Sequence, residues 1–180
     1  MSPVLINFVT FQVGWFACVL GGAHQLPWFG TLLVSVIIAI HLFQARQPRA
    51  ELSLILLAIA IGSVWDSFLV WQGWLQYPSG ILLPNTAPHW ILAMWAIFAT
   101  TLNISLRWLK GRWLVAIVSG AIAGPLAYYA GARLGGVVFT DQTIALLALS
   151  LGWAVLMPLL MALSQRLDGF PNLASARRMA

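Results

Sequence analysis

The sequence predicts an all-α fold: a polytopic membrane protein built as a six-helix transmembrane bundle with cytoplasmic N- and C-termini. Three observations predict it. Of its 180 residues, 61% are hydrophobic and only 7% are charged, against about 25% charged in soluble domains, so the chain lacks polar groups to cover a water-facing surface. The apolar residues gather into six runs, each near the roughly 20 residues that cross the hydrocarbon core. Eight of the nine Lys and Arg residues fall on one side of those six runs. A soluble enzyme, a nucleic-acid binder and a disordered chain are excluded, because the net charge of +5 is spread along the chain without a basic patch.

The first span, residues 4–22, lacks a basic leader and is too long and too aromatic for a cleaved signal, so it is expected to remain as a helix. A tight turn at His24–Pro27 leads to the second, residues 26–45, rich in Leu, Ile, Val and Phe and expected to face lipid. Arg46–Arg49, broken by Pro48, precedes the third, residues 52–72. The stretch Gly73–Ala87 carries no charge and three turn formers, Pro78, Gly80 and Pro84. It reads as a shaped connector, with a lid lying on the membrane as the alternative.

In the fourth span, residues 88–107, His89, Ala93, Ala96, Thr100, Asn103 and Arg107 alternate at steps of four and three. That spacing puts a small and polar stripe on one face of a helix, expected to turn into the bundle. The fifth span, residues 113–132, repeats Ala116, Gly120 and Gly124 at four-residue steps, with Gly131 beyond. Small residues let membrane helices approach closely, so this is expected to be the central packing helix, kinked near Pro125. Similar stripes are Gly14, Cys18 and Gly22 in the first span and Ala148 and Gly152 in the sixth, residues 143–163. The long unalternating runs exclude a membrane barrel. Residues 1–165 form one membrane domain, and 166–180 form a polar tail expected to be poorly ordered.

Orientation follows from the basic residues. Arg46, Arg49, Arg107, Lys110, Arg112, Arg166, Arg177 and Arg178 share the side of the termini, and Arg133 stands alone on the other. Trp28, Trp71, Trp74 and Trp90 then lie near the outer boundary and Trp108 and Trp113 near the inner one, as aromatic belts do. Trp15, Trp65, Trp95 and Trp153 fall deeper. They read first as packing residues with bonded indole N–H groups, and second as a wall around an acyl chain or a flat ligand.

Asp66 is the acid that falls well inside a span, roughly 9 Å of helix from Gln72 at 1.5 Å per residue. A charge at mid-bilayer costs about 2.5–3.5 kcal/mol on insertion scales. Asp66 must therefore face the bundle, find partners or carry a proton, either as a proton-handling or ligand-anchoring group or as a structural hydrogen bond. With His24, His89, Arg133 and Asp141 it makes a candidate outward-facing polar site. Each of those four also has a plain role, Asp141 as a helix N-terminal residue and Arg133 as its partner. Toward the cytoplasm Asn7, His41, Asn103 and Arg107 can form a second polar layer, and Gln12 and Thr100 join the expected interhelical contacts. The single cysteine excludes a disulfide, and no metal-ligand spacing, nucleophile elbow or phosphate loop occurs. No metal and no cofactor are expected.

Asn7, Phe11-Gln12, Gly14-Trp15-Phe16, Cys18-Val19, Trp65-Asp66, Pro88-His89-Trp90, Trp95, Phe98-Ala99, Thr101-Leu102, Ser105-Leu106 and Trp108 together resemble an uncharacterised family. It is a domain of unknown function in small inner-membrane proteins of Gram-negative bacteria. The resemblance runs from Asn7 to about Gln165. It implies the bacterial inner membrane and a gene encoded near those of enzymes that modify membrane fatty acyl chains, and it supplies no catalytic residue.

The leading expectation is an accessory or binding subunit for membrane-lipid metabolism or envelope stress. Its partners are membrane lipids, with a membrane or peripheral protein as a further one and no nucleic acid. The alternatives are a membrane-embedded lipid-modifying enzyme and a small proton-coupled transporter, both using Asp66.

Overall fold

The computed structural model describes residues 2–171. Six helices follow in order: α1 Pro3–Ala23, α2 Pro27–Gln44, α3 Pro48–Trp71, α4 His89–Leu102, α5 Trp113–Arg133 and α6 Gln142–Arg166. Five are long and apolar enough to cross a membrane, and α4 is the short one. This is a multi-pass membrane protein. Proline begins α1, α2 and α3, where its missing N–H belongs to a donor that has no helical partner anyway. Ser2 caps α1 by accepting from the Leu5 amide, and Asp141 caps α6 by accepting from the Ile144 amide.

The connections alternate between two ends. At one end Ser79 Oγ donates to the Gly22 carbonyl at 2.7 Å and Gln25 Nε2 donates to the Pro78 carbonyl at 3.1 Å. There β1, Leu75–Gln76, pairs antiparallel with β2, Val138–Phe139, tying the α3–α4 and α5–α6 connections together. At the other end the Arg46 and Gln47 amides donate to the Gly169 carbonyl. This basic end gathers Arg46, Arg49, Arg107, Lys110, Arg112 and Arg166, while Arg133 closes α5 at the ribbon end. Arg177 and Arg178, counted with the basic side in the sequence, lie outside the described residues.

The fourth span departs from expectation. Helix α4 stops at Leu102, short of residue 107, so Asn103 and Arg107 are not on its face. The break is stabilised by side chains. Thr100 and Thr101 hydroxyls donate to the Ile97 and Phe98 carbonyls. Asn7 of α1 donates to the Thr100 carbonyl at 3.2 Å and accepts from the Ser105 hydroxyl at 2.7 Å. Unwound backbone at membrane depth requires such replacement partners. The inward stripe is also an understatement, because ten residues of α4 are buried, including Trp90, Ile91, Trp95, Ile97 and Leu102.

It is α4, not α5, that occupies the centre, packing against α1, α2 and α3 and reaching α6. Helix α5 lies at the side and packs chiefly on α6, with only Ala116, Gly120, Gly124 and Gly131 buried. Its small residues make room for a ring: a Cβ at Gly124 would sit 2.3 Å from the Trp153 ring. The same device recurs where Trp95 covers Gly62, Trp65 covers Gly152 and Trp90 covers Gly22. Trp90, expected in the aromatic belt, is therefore buried, with its N–H given to the Ser79 carbonyl at 3.0 Å. Helix α2 fully buries only Gly30, Val34 and His41, packs Ile37, Ile38 and Leu42 partly against the core, and leaves Leu32, Val36, Ile40 and Phe43 exposed.

Residues 167–170, placed in the sequence with the poorly ordered tail, are instead docked against the basic end. The Gly169 amide donates to Glu51 Oε1 at 2.8 Å. The remainder of that tail, 172–180, lies outside the described residues.

Candidate functional site

Helix α3 carries both buried carboxylates on one face. Glu51, Ile55, Ala58, Gly62, Asp66 and Leu69 follow at steps of three and four and are all buried. Fifteen residues separate Glu51 from Asp66, about 22 Å of helix at 1.5 Å per residue, so each acid anchors one end of the bundle.

Asp66 is fully buried and meets three donors from three different segments. Tyr128 of α5 donates its hydroxyl to Oδ1 at 2.6 Å, and Tyr77 of the α3–α4 connection donates to the same oxygen at 3.3 Å. Trp95 of α4 donates its indole N–H to Oδ2 at 2.6 Å. Three donors and no acceptor suit an ionised carboxylate, which can only accept. The connection thus folds inward to deliver Tyr77, while Ile81, Leu82 and Leu83 stay exposed at its tip.

The three donors are also a wall. With Phe11 and Trp15 of α1, Phe98 of α4 and Trp153 of α6 they line a cavity of about 320 Å³ between α1 and α4 on one side and α5 and α6 on the other. Trp95 stacks on Trp153 at 4.8 Å and 6°, and Phe98 meets both rings edge-on. On the α5 side the floor is small: Gly120, Ala123, Gly124, Ala127 and Gly131. Tyr77, Gly136 and Val137 close the ribbon end, and Leu106, Trp108 and Leu109 close the basic end. No charged side chain lines the cavity. Of the deep tryptophans, Trp95 gives its N–H to a neighbouring helix as expected, whereas the Trp65 and Trp153 N–H groups are buried without a partner among the described residues.

The other expected members of the outer site stand apart from Asp66. His24 is exposed at the end of α1. His89 is buried at the start of α4, with Nδ1 2.8 Å from the Thr31 hydroxyl and its ring stacked on Trp28 at 4.1 Å. Arg133 is exposed and makes no ion pair among the described residues, and Asp141 is spent on its helix cap. Gln12 is half-buried without a hydrogen bond among the described residues. No group of His, Cys and acid side chains fit to hold a metal occurs among the described residues.

Of the expected second polar layer, His41, Asn103 and Arg107 meet around a residue the sequence did not single out, whereas Asn7 bonds Thr100 and Ser105 instead. Glu51 is fully buried and accepts from Asn103 Nδ2 at 2.5 Å and from the Gly169 amide, with His41 Nε2 at 2.9 Å. Arg107 and Lys110 donate to Asp168 at 2.6 and 3.0 Å, and Lys110 also reaches Asn103 Oδ1 and the Ser164 carbonyl. The pair is uneven. Burial lowers Lys110 from the ordinary lysine value by more than Asp168 raises it, whereas Asp168, raised by burial, is held below the carboxylate range by Arg107 and Lys110. The signal for Glu51 was its place on the Asp66 face of α3. Its nearness to Arg46 and Arg49 disguised it as a loop charge.

The family described as "Protein of unknown function (DUF2878)" matches residues 4–159. This chain belongs to the DUF2878 family. No curated protein and no solved structure matches it. In this DUF2878 protein the match covers α1 to α5 and most of α6, so it includes every wall of the cavity and all the partners of Asp66.

Proposed function

We propose that the protein is a lipid-binding subunit of the bacterial inner membrane, with its basic end in the cytoplasm, that holds a long apolar chain in the groove between α1, α4, α5 and α6. The observation that carries this reading is the groove itself. Its volume falls in the range of about 300–1,000 Å³ typical of ligand sites, and its lining is aromatic and aliphatic along its length. Ala123 and Ala127 line it and are exposed, so it opens sideways toward the bilayer, while both of its ends are covered by protein. A water-soluble ligand has no reason to enter there, and a lipid chain loses nothing by leaving the bilayer for it. A place beside enzymes of membrane-lipid metabolism follows as the accessory role.

Asp66 serves in this reading as a positioning residue. By binding Tyr77, Trp95 and Tyr128 it fixes three side chains of the wall at once. The enzyme and transporter readings find less support, since no histidine or second acid touches Asp66 and its oxygens are already occupied.

The test is photolabelling in vesicles with a phosphatidylethanolamine that carries a diazirine along one acyl chain. Adducts concentrated at Phe11, Trp15, Ala123 and Ala127 are expected. Adducts as frequent on the lipid face of α2, at Leu32, Val36 and Ile40, would overturn the reading.

A further inference from the structure

We propose that the lipid held in the groove is an anionic phospholipid of the leaflet at the basic end, with its phosphate bound by Arg112 beside Trp108. This rests on the reading of the groove as a lipid site. The surface of the groove is almost wholly apolar. The Trp153 N–H in its wall, without a partner among the described residues, is buried and neutral, no counterpart for a charged headgroup. The groove therefore suits hydrocarbon, and the headgroup must lie outside it, at one end.

The two ends differ. Tyr77, Gly136 and Val137, which close the ribbon end, are all buried. At the basic end Trp108 lines the groove and is also 41% exposed, so it reaches from the groove to the surface. The Arg112 guanidinium lies over that ring, 5.9 Å from its centroid, within cation–π reach. Arg112 leads directly into α5. Ser119, seven residues on and about two turns or 10 Å along the helix, lies on the same face and lines the groove. Ala123, one turn further, lies at the opening toward the bilayer. A chain rising from a headgroup at Arg112 thus reaches that opening along α5.

The charges at this end agree. Arg107 and Lys110 share Asp168, whereas Arg112 is exposed and pairs with no acid among the described residues. Helix α5 has no acid in its first turn. A guanidinium is a planar fork of N–H donors that fits two phosphate oxygens, and lying on an aromatic ring leaves its edges free. Among the described residues Arg46, Arg49, Arg107, Lys110, Arg112 and Arg166 face only Glu51 and Asp168 at this end. That excess favours a headgroup of net negative charge over one that brings its own ammonium.

The test places a trace of the phosphatidylethanolamine photoprobe in vesicles of phosphatidylcholine or of phosphatidylglycerol with the same chains, and references groove labelling to the lipid face of α2. On the wild-type protein, groove labelling is expected to be about fivefold lower in phosphatidylglycerol, the worth of one arginine near a membrane surface. Arg112→Gln is expected to remove that difference. Arg49→Gln takes a charge from the same end on α3, a helix that lines no part of the groove, and is expected to keep it. Equal labelling of the wild-type protein in the two lipids would overturn the inference with the groove still labelled, and needs no variant to fold. So would equal losses in Arg49→Gln and Arg112→Gln, the mark of diffuse attraction, or a loss in Arg133→Gln alone, which puts the headgroup at the ribbon end. A probe that never labels the groove would overturn the lipid reading instead.

Discussion

Replacing Asp66 by alanine strands three buried donors at once. Among the described residues the Tyr77 and Tyr128 hydroxyls and the Trp95 N–H have no other acceptor and lie in a wall lined by no charged side chain. An unsatisfied buried donor costs about 1–3 kcal/mol. Asp66→Ala is therefore expected to lose several kcal/mol, a large share of the roughly 5–15 kcal/mol that holds a typical protein folded. The single partners should follow their geometry. Tyr128→Phe removes a 2.6 Å bond to a carboxylate and is expected to cost about 1.5–3 kcal/mol, whereas Tyr77→Phe removes one of 3.3 Å and costs about 0.5–1 kcal/mol. Unfolding by dodecyl sulfate titration in mild detergent, followed by tryptophan fluorescence, gives the order directly. Asp66→Ala within about 1 kcal/mol of wild type would refute the account of the carboxylate, well below the summed donor penalty. So would Tyr77→Phe costing more than Tyr128→Phe.

The basic end and the tryptophan seats make their own predictions. Asp168 is held below the ordinary carboxylate value, so its stabilisation is complete above about pH 4 and is lost as pH falls through the lowered folded-state value. The stability difference between wild type and Asp168→Asn should thus be constant from pH 8 to pH 5 and vanish only below about pH 4; a difference already gone at pH 6 contradicts it. Glu51→Ala leaves His41, Asn103 and the Gly169 amide without their acceptor, and faster hydrogen exchange at Gly169 should report the release of residues 167–170. Gly62→Ala would place a Cβ 2.0 Å from the Trp95 ring, which Asp66 and Trp153 hold in place, and is expected to cost about 1–3 kcal/mol on the same titration. A reporter enzyme inserted at Gly80 is expected to be active only outside the cytoplasm.

Much of the fold was legible because lipid leaves few choices. Apolar runs of membrane length must be helices, and the segregation of Arg and Lys gave the two ends that the structure shows as separate. The stop of α4 was not legible. Asn103-Ile-Ser-Leu106 holds no proline or glycine, and the partners that stabilise the break come from α1 and from residues 167–170. The rank of α5 was misread because small residues signal close approach without saying what approaches. Here it is the Trp153 ring. Asp66 was visible as a charge where none belongs. Its donors were not, since Tyr77 sits in a connection that is brought over the groove by long-range contacts, the paired ribbon and the bonds of Ser79 and Pro78 to the α1–α2 turn. His24, His89, Arg133 and Asp141 shared its depth in the sequence, but depth along a helix does not fix which way a side chain faces.

The central claim is that the groove holds a lipid chain against a wall fixed by Asp66, and filling the groove tests it most directly. Ala123 lines the groove and is exposed, so Ala123→Trp adds bulk there without entering a helix contact. Native mass spectrometry of protein released from mild detergent counts the retained lipid. The account predicts one tightly held lipid on the wild-type chain and its loss from Ala123→Trp; equal retention by the two proteins would contradict it.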